Sequence, residues 1–219
     1  MEAIYSFGKM LIDGYRVVGK GHAAVVVLAR HRDYGIIALK IRRMDSKRAS
    51  LKDEAELLET IHRYGYAPKV YLYTDDFILR EYIDGLTIEE FLGTVQYRDD
   101  IAHFIKSLLL ATYTLDELGI DVGELSRPYR QIVLLCGDPS KPFFIDLESG
   151  KRSVRPSNVT RIINFIITGC RENYRIREAL KIDRDRALLL IGLAREYKKS
   201  PSDSRGDVLN KILSVLGIM

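Results

Sequence analysis

Ile36-Ile37-Ala38-Leu39-Lys40-Ile41 is an apolar run, dense in isoleucine, with a single lysine inside it. The composition predicts a strand, and lysine seldom sits among the buried neighbours of one. Two readings of Lys40 follow: a side chain alternating out to solvent, or a cation held inside for a purpose. Upstream, Ala23-Ala24-Val25-Val26-Val27-Leu28-Ala29 is a second β-type run. Arg32-Asp33-Tyr34-Gly35 has turn character, so the two runs form a hairpin. Ahead of them, Gly19-x-Gly21-x-x-Ala24-x-Val26 follows the apolar Tyr15–Val18. These glycines either serve a hairpin turn needing φ > 0 or let the backbone approach a polyphosphate and offer it N–H groups. Lys40 lies 14 residues after Val26, across one hairpin, which sets its ammonium beneath the glycine turn.

Downstream the period changes. Between Ser50 and Tyr64, Leu51, Ala55, Leu58 and Ile61 recur at helical spacing. Ser50 is the expected cap, and Gly65 the expected stop. Glu54 on the inner face of this helix is placed to pair with Lys40, whereas Glu56 and Glu59 read as solvated charges. Val70–Tyr73 and Phe77–Ile83 are again strand-like. After Asp84-Gly85 the chain becomes mainly helical. Thr87 caps Ile88–Leu92 with Glu90 as its capping-box partner, and Asp99–Leu118 is a long amphipathic helix stopped by Gly119. Gln131–Leu135 and Pro142–Asp146 read as a hairpin. Helices are expected over Asn158–Thr168, with Ser157 or Asn158 as cap, over Arg171–Leu180, over Arg184–Tyr197 and after Asp203. Ser200–Gly206 reads as a polar linker.

In this order and spacing the motifs resemble a protein kinase, of the compact RIO-type and related archaeal Ser/Thr class. The likeness runs from Gly19 to Asp146 and slightly beyond. It rests on the glycine stretch, Ala38-Leu39-Lys40, Asp53-Glu54-Ala55-Glu56-Leu57-Leu58, Ala67-Pro68-Lys69-Val70-Tyr71 and Arg80-Glu81-Tyr82-Ile83-Asp84-Gly85. Each motif alone is weak; together they are fairly specific. The resemblance implies an α+β, bilobal fold: a β-rich lobe over residues 1–83 and a truncated, mainly helical lobe over residues 84–219, with ATP in the cleft. Gly19, Gly21 and Val26 would cover the nucleotide. Lys40 would position its phosphates and Glu54 would hold Lys40. The Glu81 carbonyl and the Ile83 N–H would meet adenine, and Arg80 stands at the position guarding the pocket, where kinases usually carry an apolar residue.

The same likeness assigns the chemistry. Leu118-Gly119-Ile120-Asp121-Val122-Gly123-Glu124-Leu125 stands where a Gly-Ile-x-His-Gly-Asp-Leu stretch is expected, with Val122 at the His position and Glu124 at the catalytic Asp position. Glu124 would orient the acceptor hydroxyl. Asp146, in Phe143-Phe144-Ile145-Asp146-Leu147-Glu148, would bind Mg²⁺ or Mn²⁺. Gln131, just ahead of an apolar run, would be the second metal ligand if the preceding loop carries a two-residue insertion. Alone, Gln131 reads as a strand-start residue and Asp146 as a turn residue. No Ala-Pro-Glu and no long activation segment follow, only a basic connection with Lys151, Arg152 and Arg155.

Composition sets the limits. The chain has 219 residues, 47% of them hydrophobic, which is enough for a sizeable core. Lys and Arg exceed Asp and Glu by 34 − 30 = 4. That suits a phosphate-bearing ligand and falls far short of a dedicated nucleic-acid binder. Cys136 and Cys170 make no zinc pattern and read as buried or inert thiols. Met1–Phe7 lacks the form of a signal peptide and no apolar stretch reaches membrane length, so a cytoplasmic protein without a membrane partner is expected. Scarce glutamine, no tryptophan and more Arg than Lys hint at a thermophilic source. The partners expected are a protein substrate and, through the basic connection, a ribonucleoprotein; oligomeric state is left open. The expected activity is γ-phosphoryl transfer to a protein hydroxyl, in cis or in trans. The rivals are a pseudokinase or slow ATPase acting as a nucleotide-gated module, a small-molecule phosphotransferase, and an RNA-associated factor.

Overall fold

The computed structural model describes residues 12–168 and 174–218, with side chains from residue 16. Met1–Phe7, Cys170 and the opening of the expected helix at 171–173 lie outside the described residues. The structure is α+β, and its contacts divide the chain into two units, Met1–Ile83 and Asp84–Met219.

The first unit is a five-stranded antiparallel sheet with one helix, α1 (Lys52–His62). The strands β1 (Ile12–Lys20), β2 (Ala24–His31), β3 (Gly35–Arg42), β4 (Val70–Tyr73) and β5 (Phe77–Glu81) lie in the order β1-β2-β3-β5-β4. Alternation gives the sheet two faces. Ala29, Ile37, Leu39 and Leu79 form an apolar cluster, against which Val27, Ile41, Tyr71 and Phe77 pack. Tyr34 stacks on Tyr71 with ring centroids 4.4 Å apart, and His31 on Tyr34 at 4.6 Å. The alternate positions carry Val26, Leu28, Ala38, Lys40, Ile78 and Arg80, and α1 packs here with Leu51 and Ala55 against Ile78. Leu51, Leu58, Ile61, Ile78 and Leu79 are fully buried. Each such side chain contributes about 1.5–3 kcal/mol relative to exposure. Ser50 does not cap α1. Leu51 takes that position, drawn in by its apolar cluster, while the Ser50 hydroxyl accepts the Lys52 N–H at 3.0 Å.

The second unit opens with β6 (Gly85–Thr87), which pairs with β8 (Ile132–Leu135); β8 pairs in turn with β9 (Pro142–Phe144). Helix α2 (Ile88–Thr94) begins with the expected capping box: Thr87 accepts the Glu90 N–H, and Glu90 accepts the Thr87 N–H. Helix α3 (Arg98–Glu117) buries Phe104, Ile105, Leu108, Leu109 and Leu115, and β7 (Ile120–Asp121) follows it. The basic connection contains a two-residue strand, β10 (Lys151–Arg152), paired with β7. The remaining helices are α4 (Asn158–Ile167), α5 (Tyr174–Ala179), α6 (Arg184–Lys199) and α7 (Ser202–Leu216).

Three local expectations are corrected here. Ser157 precedes α4 without capping it, because the Asp116 carboxylate accepts the Asn158 and Val159 N–H groups at 2.9 and 3.2 Å. Ser202–Gly206 is the first turn of α7 rather than linker; Arg205, Val208 and Leu209 are buried, so tertiary contact outweighs the polar composition. Cys136 is exposed rather than buried, in the β8–β9 turn. Among the described residues no helix is long and apolar enough to cross a membrane.

Candidate functional site

Lys40 is buried, on the inward-facing row of β3. Its cross-strand partners are Val26 on β2 and Ile78 on β5, and Val26 pairs onward with Gly19 on β1. Gly19, Val26, Lys40 and Ile78 therefore form one row across the sheet. The Lys40 Nζ donates to Glu54 Oε1 at 2.7 Å, with the two side chains 5% and 0% exposed. Removing both charges from water is costly unless they pair, so this contact carries a heavy desolvation penalty that an ordinary surface ion pair does not. Glu54 also holds a second cation: Arg48 Nη1 donates to its Oε2 at 2.9 Å, and Arg48 Nε is anchored on the Ser50 carbonyl.

Gly19 and Gly21 are placed at the end of β1 and in the turn into β2, where the Gly21 N–H donates to the Ala24 carbonyl at 2.9 Å. Neither has a positive φ, so the turn does not require glycine for its backbone. What glycine supplies at these positions is the missing side chain. His22 is exposed in the same turn.

The next row of the same face contains Leu28, Ala38 and Arg80. Arg80 is 5% exposed, and its Nη1 donates to the Glu81 carbonyl at 3.1 Å. The Glu81 carboxylate accepts the Lys69 N–H at 3.1 Å. Strand β5 ends at Glu81, so Ile83, buried, lies beyond it as the last residue of the first unit.

Glu124, Gln131 and Asp146 belong to the second unit. Glu124 is exposed in the loop after β7. Gly123 before it has φ +92, and a Cβ there would meet the Ser149 Cβ at 2.8 Å, so this loop closes directly against the segment after Asp146. Gln131 and Asp146 flank the open end of the β8–β9 hairpin, where the Ile145 N–H donates to the Gln131 carbonyl at 2.8 Å. Asp146 Oδ1 accepts the Glu148 N–H at 3.1 Å. Gln131 Oε1 is buried and has no hydrogen-bond partner among the described residues. An orphaned amide oxygen and a carboxylate are both ligand types that a hard cation takes together with phosphate and water oxygens. Among the described residues no three His, Cys, Asp or Glu side chains group as a metal cage, so such a cation would take its remaining ligands from elsewhere.

The loop bearing Glu124 hangs on a buried polar network that sequence reading missed. Asn158 Oδ1 accepts the Val122 N–H at 2.9 Å, and its Nδ2 donates to the Ile120 carbonyl at 2.6 Å and to Asp116 Oδ1 at 2.8 Å. Tyr197 on α6 donates its hydroxyl to Asp116 Oδ2 at 3.0 Å. Asp121 is held by Arg161 at 2.7 Å and accepts the Gly123 N–H at 3.0 Å. Burial pushes the Asp116 carboxyl up from 3.8 to about 6, against the hydrogen bonds from Asn158, Val159 and Tyr197 and the charge of Arg205, which pull it down. Burial and then the adjacent Asp116 raise the Tyr197 hydroxyl. One signal was present in the sequence: Asp116 falls on the apolar stripe of α3, four residues after Thr112, where a carboxylate needs a partner.

No protein-family model matches the sequence, and no curated protein does.

Proposed function

We propose that the chain binds a purine nucleoside triphosphate, ATP by the resemblance, and with Mg²⁺ transfers its γ-phosphoryl group to a hydroxyl of a protein acceptor. The observation that supports this best is the buried Lys40–Glu54 pair at 2.7 Å, on a sheet face shared with a side-chain-free glycine turn. On this reading Lys40 donates to the α- and β-phosphate oxygens, and Glu54 keeps it extended. Gln131 Oε1 and Asp146 would hold Mg²⁺, which when bound neutralises charge on the β- and γ-phosphates. Glu124 accepts the proton of the acceptor hydroxyl as its oxygen bonds to the γ-phosphorus. The bond to the bridging oxygen breaks, and the nucleoside diphosphate leaves. A carboxylate one methylene longer than the usual aspartate reaches differently, and a misplacement of about 1 Å costs on the order of a hundredfold, so slow turnover is expected.

The fully buried, apolar Val122 next to that loop favours a second reading, nucleotide binding without transfer, in which binding gates a partner. One experiment separates them: transfer of labelled γ-phosphate to generic acceptor proteins at elevated temperature, with Mg²⁺ and with Mn²⁺, counting free phosphate in parallel. Label on protein that is lost in Asp146→Ala and in Glu124→Ala is the expected result. Nucleotide binding that depends on Lys40, with neither label nor phosphate release, would replace the transferase with the binding module.

A further inference from the structure

Helix α6 buries Leu190 and Tyr197 on one side and turns Leu188 and Leu189 outward, 57% and 58% exposed. One exposed leucine is ordinary on a protein surface, but two adjacent ones beside a depression are not. Asp185, Leu188, Leu189, Gly192, Leu193 and Glu196 line that depression, and all six belong to α6.

Gly192 has no explanation within the second unit. It lies inside the helix, where glycine is disfavoured relative to alanine. Its φ is not positive, and a Cβ built on it would meet nothing within 4 Å. Neither the backbone nor a neighbour therefore calls for glycine here. What its missing side chain leaves is room for something from outside to approach the helix closely.

The six lining residues are placed symmetrically about the point between Leu190 and Ile191. Set two α6 helices antiparallel across a two-fold axis at that point. Leu189 of each copy then faces Gly192 of the other, a projection opposite a gap, twice over. Leu188 faces Leu193. Asp185 faces Glu196, which Lys211 of α7 already holds at 2.8 Å. Lys211 thus stands between carboxylates from both copies and bridges what would otherwise repel. The acids at both ends of the depression also make it a poor seat for an anionic lipid surface.

We propose that this face of α6 is a self-association surface, on which a second copy of the chain packs antiparallel through Leu188, Leu189, Gly192 and Leu193. The proposal stands apart from the nucleotide-site reading. A helix of 16 residues is about 24 Å long, and one such face is smaller than a tight complex buries. The dimer is therefore weak and depends on concentration.

The test is sedimentation of the full chain from micromolar to submillimolar concentration, with thermal unfolding of each variant measured in parallel on dilute protein. The expected result is a reversible monomer–dimer equilibrium. Leu189→Glu puts an acid into the gap at Gly192 and should weaken it on the order of tenfold or more, with the unfolding midpoint unchanged because the side chain is exposed. Gly192→Ala separates the two roles of that position: the monomer should unfold no earlier, since alanine favours the helix, while the dimer weakens several-fold as the gap fills. Lys211→Ala should weaken the dimer at low salt and less so at high salt. A chain that stays monomeric throughout would overturn the proposal, as would a dimer indifferent to both Leu189→Glu and Gly192→Ala. A monomer that sediments with vesicles of anionic lipid, and loses that binding in Leu189→Glu, would overturn it in favour of a membrane surface.

Discussion

Each unit buries a carboxylate, and the two satisfy it by different means. Glu54, 0% exposed, is neutralised by two cations, Lys40 at 2.7 Å and Arg48 at 2.9 Å. Asp116, 3% exposed, is caged by hydrogen-bond donors: two N–H groups from the start of α4, the Asn158 amide and the Tyr197 hydroxyl. Arg205 acts on it through space and lies over the Tyr197 ring. An ion pair with two cations can lose one to a ligand and stay neutralised. A cage of dipoles supplied by two helices to a carboxylate on a third cannot give up a member without leaving others unsatisfied. On the proposed reading the arrangement follows use: Lys40 has to be shared with phosphates, whereas Asp116 only has to hold Asn158, and through it the loop before Glu124.

The comparison breaks most visibly at Asp116. Asp116→Ala leaves four buried donors without their acceptor, and a loss of about 4 kcal/mol in unfolding free energy is expected. Urea denaturation followed by circular dichroism measures it, and a loss below about 1 kcal/mol would mean the cage carries little of the unit's stability. Glu54→Gln strands two cations on a neutral amide. It should cost about 3 kcal/mol in the same assay and weaken nucleotide binding, which Asp116→Ala should not do directly.

The pH dependence sharpens the contrast. The folded Asp116 titrates near 6 against 3.8 in its ordinary environment, so the folded state holds a proton that the unfolded chain releases. Its contribution is fully present below pH 3.8 and is lost as pH rises through about 6. From this group alone, stability should fall by about 2–3 kcal/mol over that window. Denaturation midpoints measured from pH 4 to pH 7 should show a slope that flattens in Asp116→Ala; an unchanged slope would assign the titration elsewhere. The smallest effect is expected at Arg48. Its side chain is 19% exposed, and Arg48→Ala leaves Glu54 with Lys40. A stability loss of about 1 kcal/mol should accompany little change in nucleotide affinity, measured by titration calorimetry.

What was readable in the sequence was local. The β2–β3 hairpin, the helix bearing Glu54 and the Thr87–Glu90 box follow from periods and caps spanning a few residues. So does the Lys40–Glu54 contact, because a strand and the helix after it leave little freedom over 14 residues. The unread parts depend on distant partners. Strands β7 and β10 have two residues each and exist because they pair across about thirty residues of chain. Ser157 has the right residue type for a cap, but the acceptor comes from Asp116 on another helix. Arg80 reads as an exception to an apolar rule, and only the register of β3 with β5 shows it sharing a face with Lys40.

The tyrosines have a practical consequence. The chain has 13 of them and no tryptophan, so its near-ultraviolet signals are dominated by tyrosine. The stacked Tyr34–Tyr71 pair lies in the first unit, and Tyr197, bonded to a carboxylate, lies in the second. Stacked rings couple as exciton pairs and give a dichroic band, whereas a phenol donating to a carboxylate shifts its absorption to longer wavelength. The chain thus carries two intrinsic optical reporters, one per unit, by which melting of the sheet and melting of the helices can be followed separately without attaching a dye.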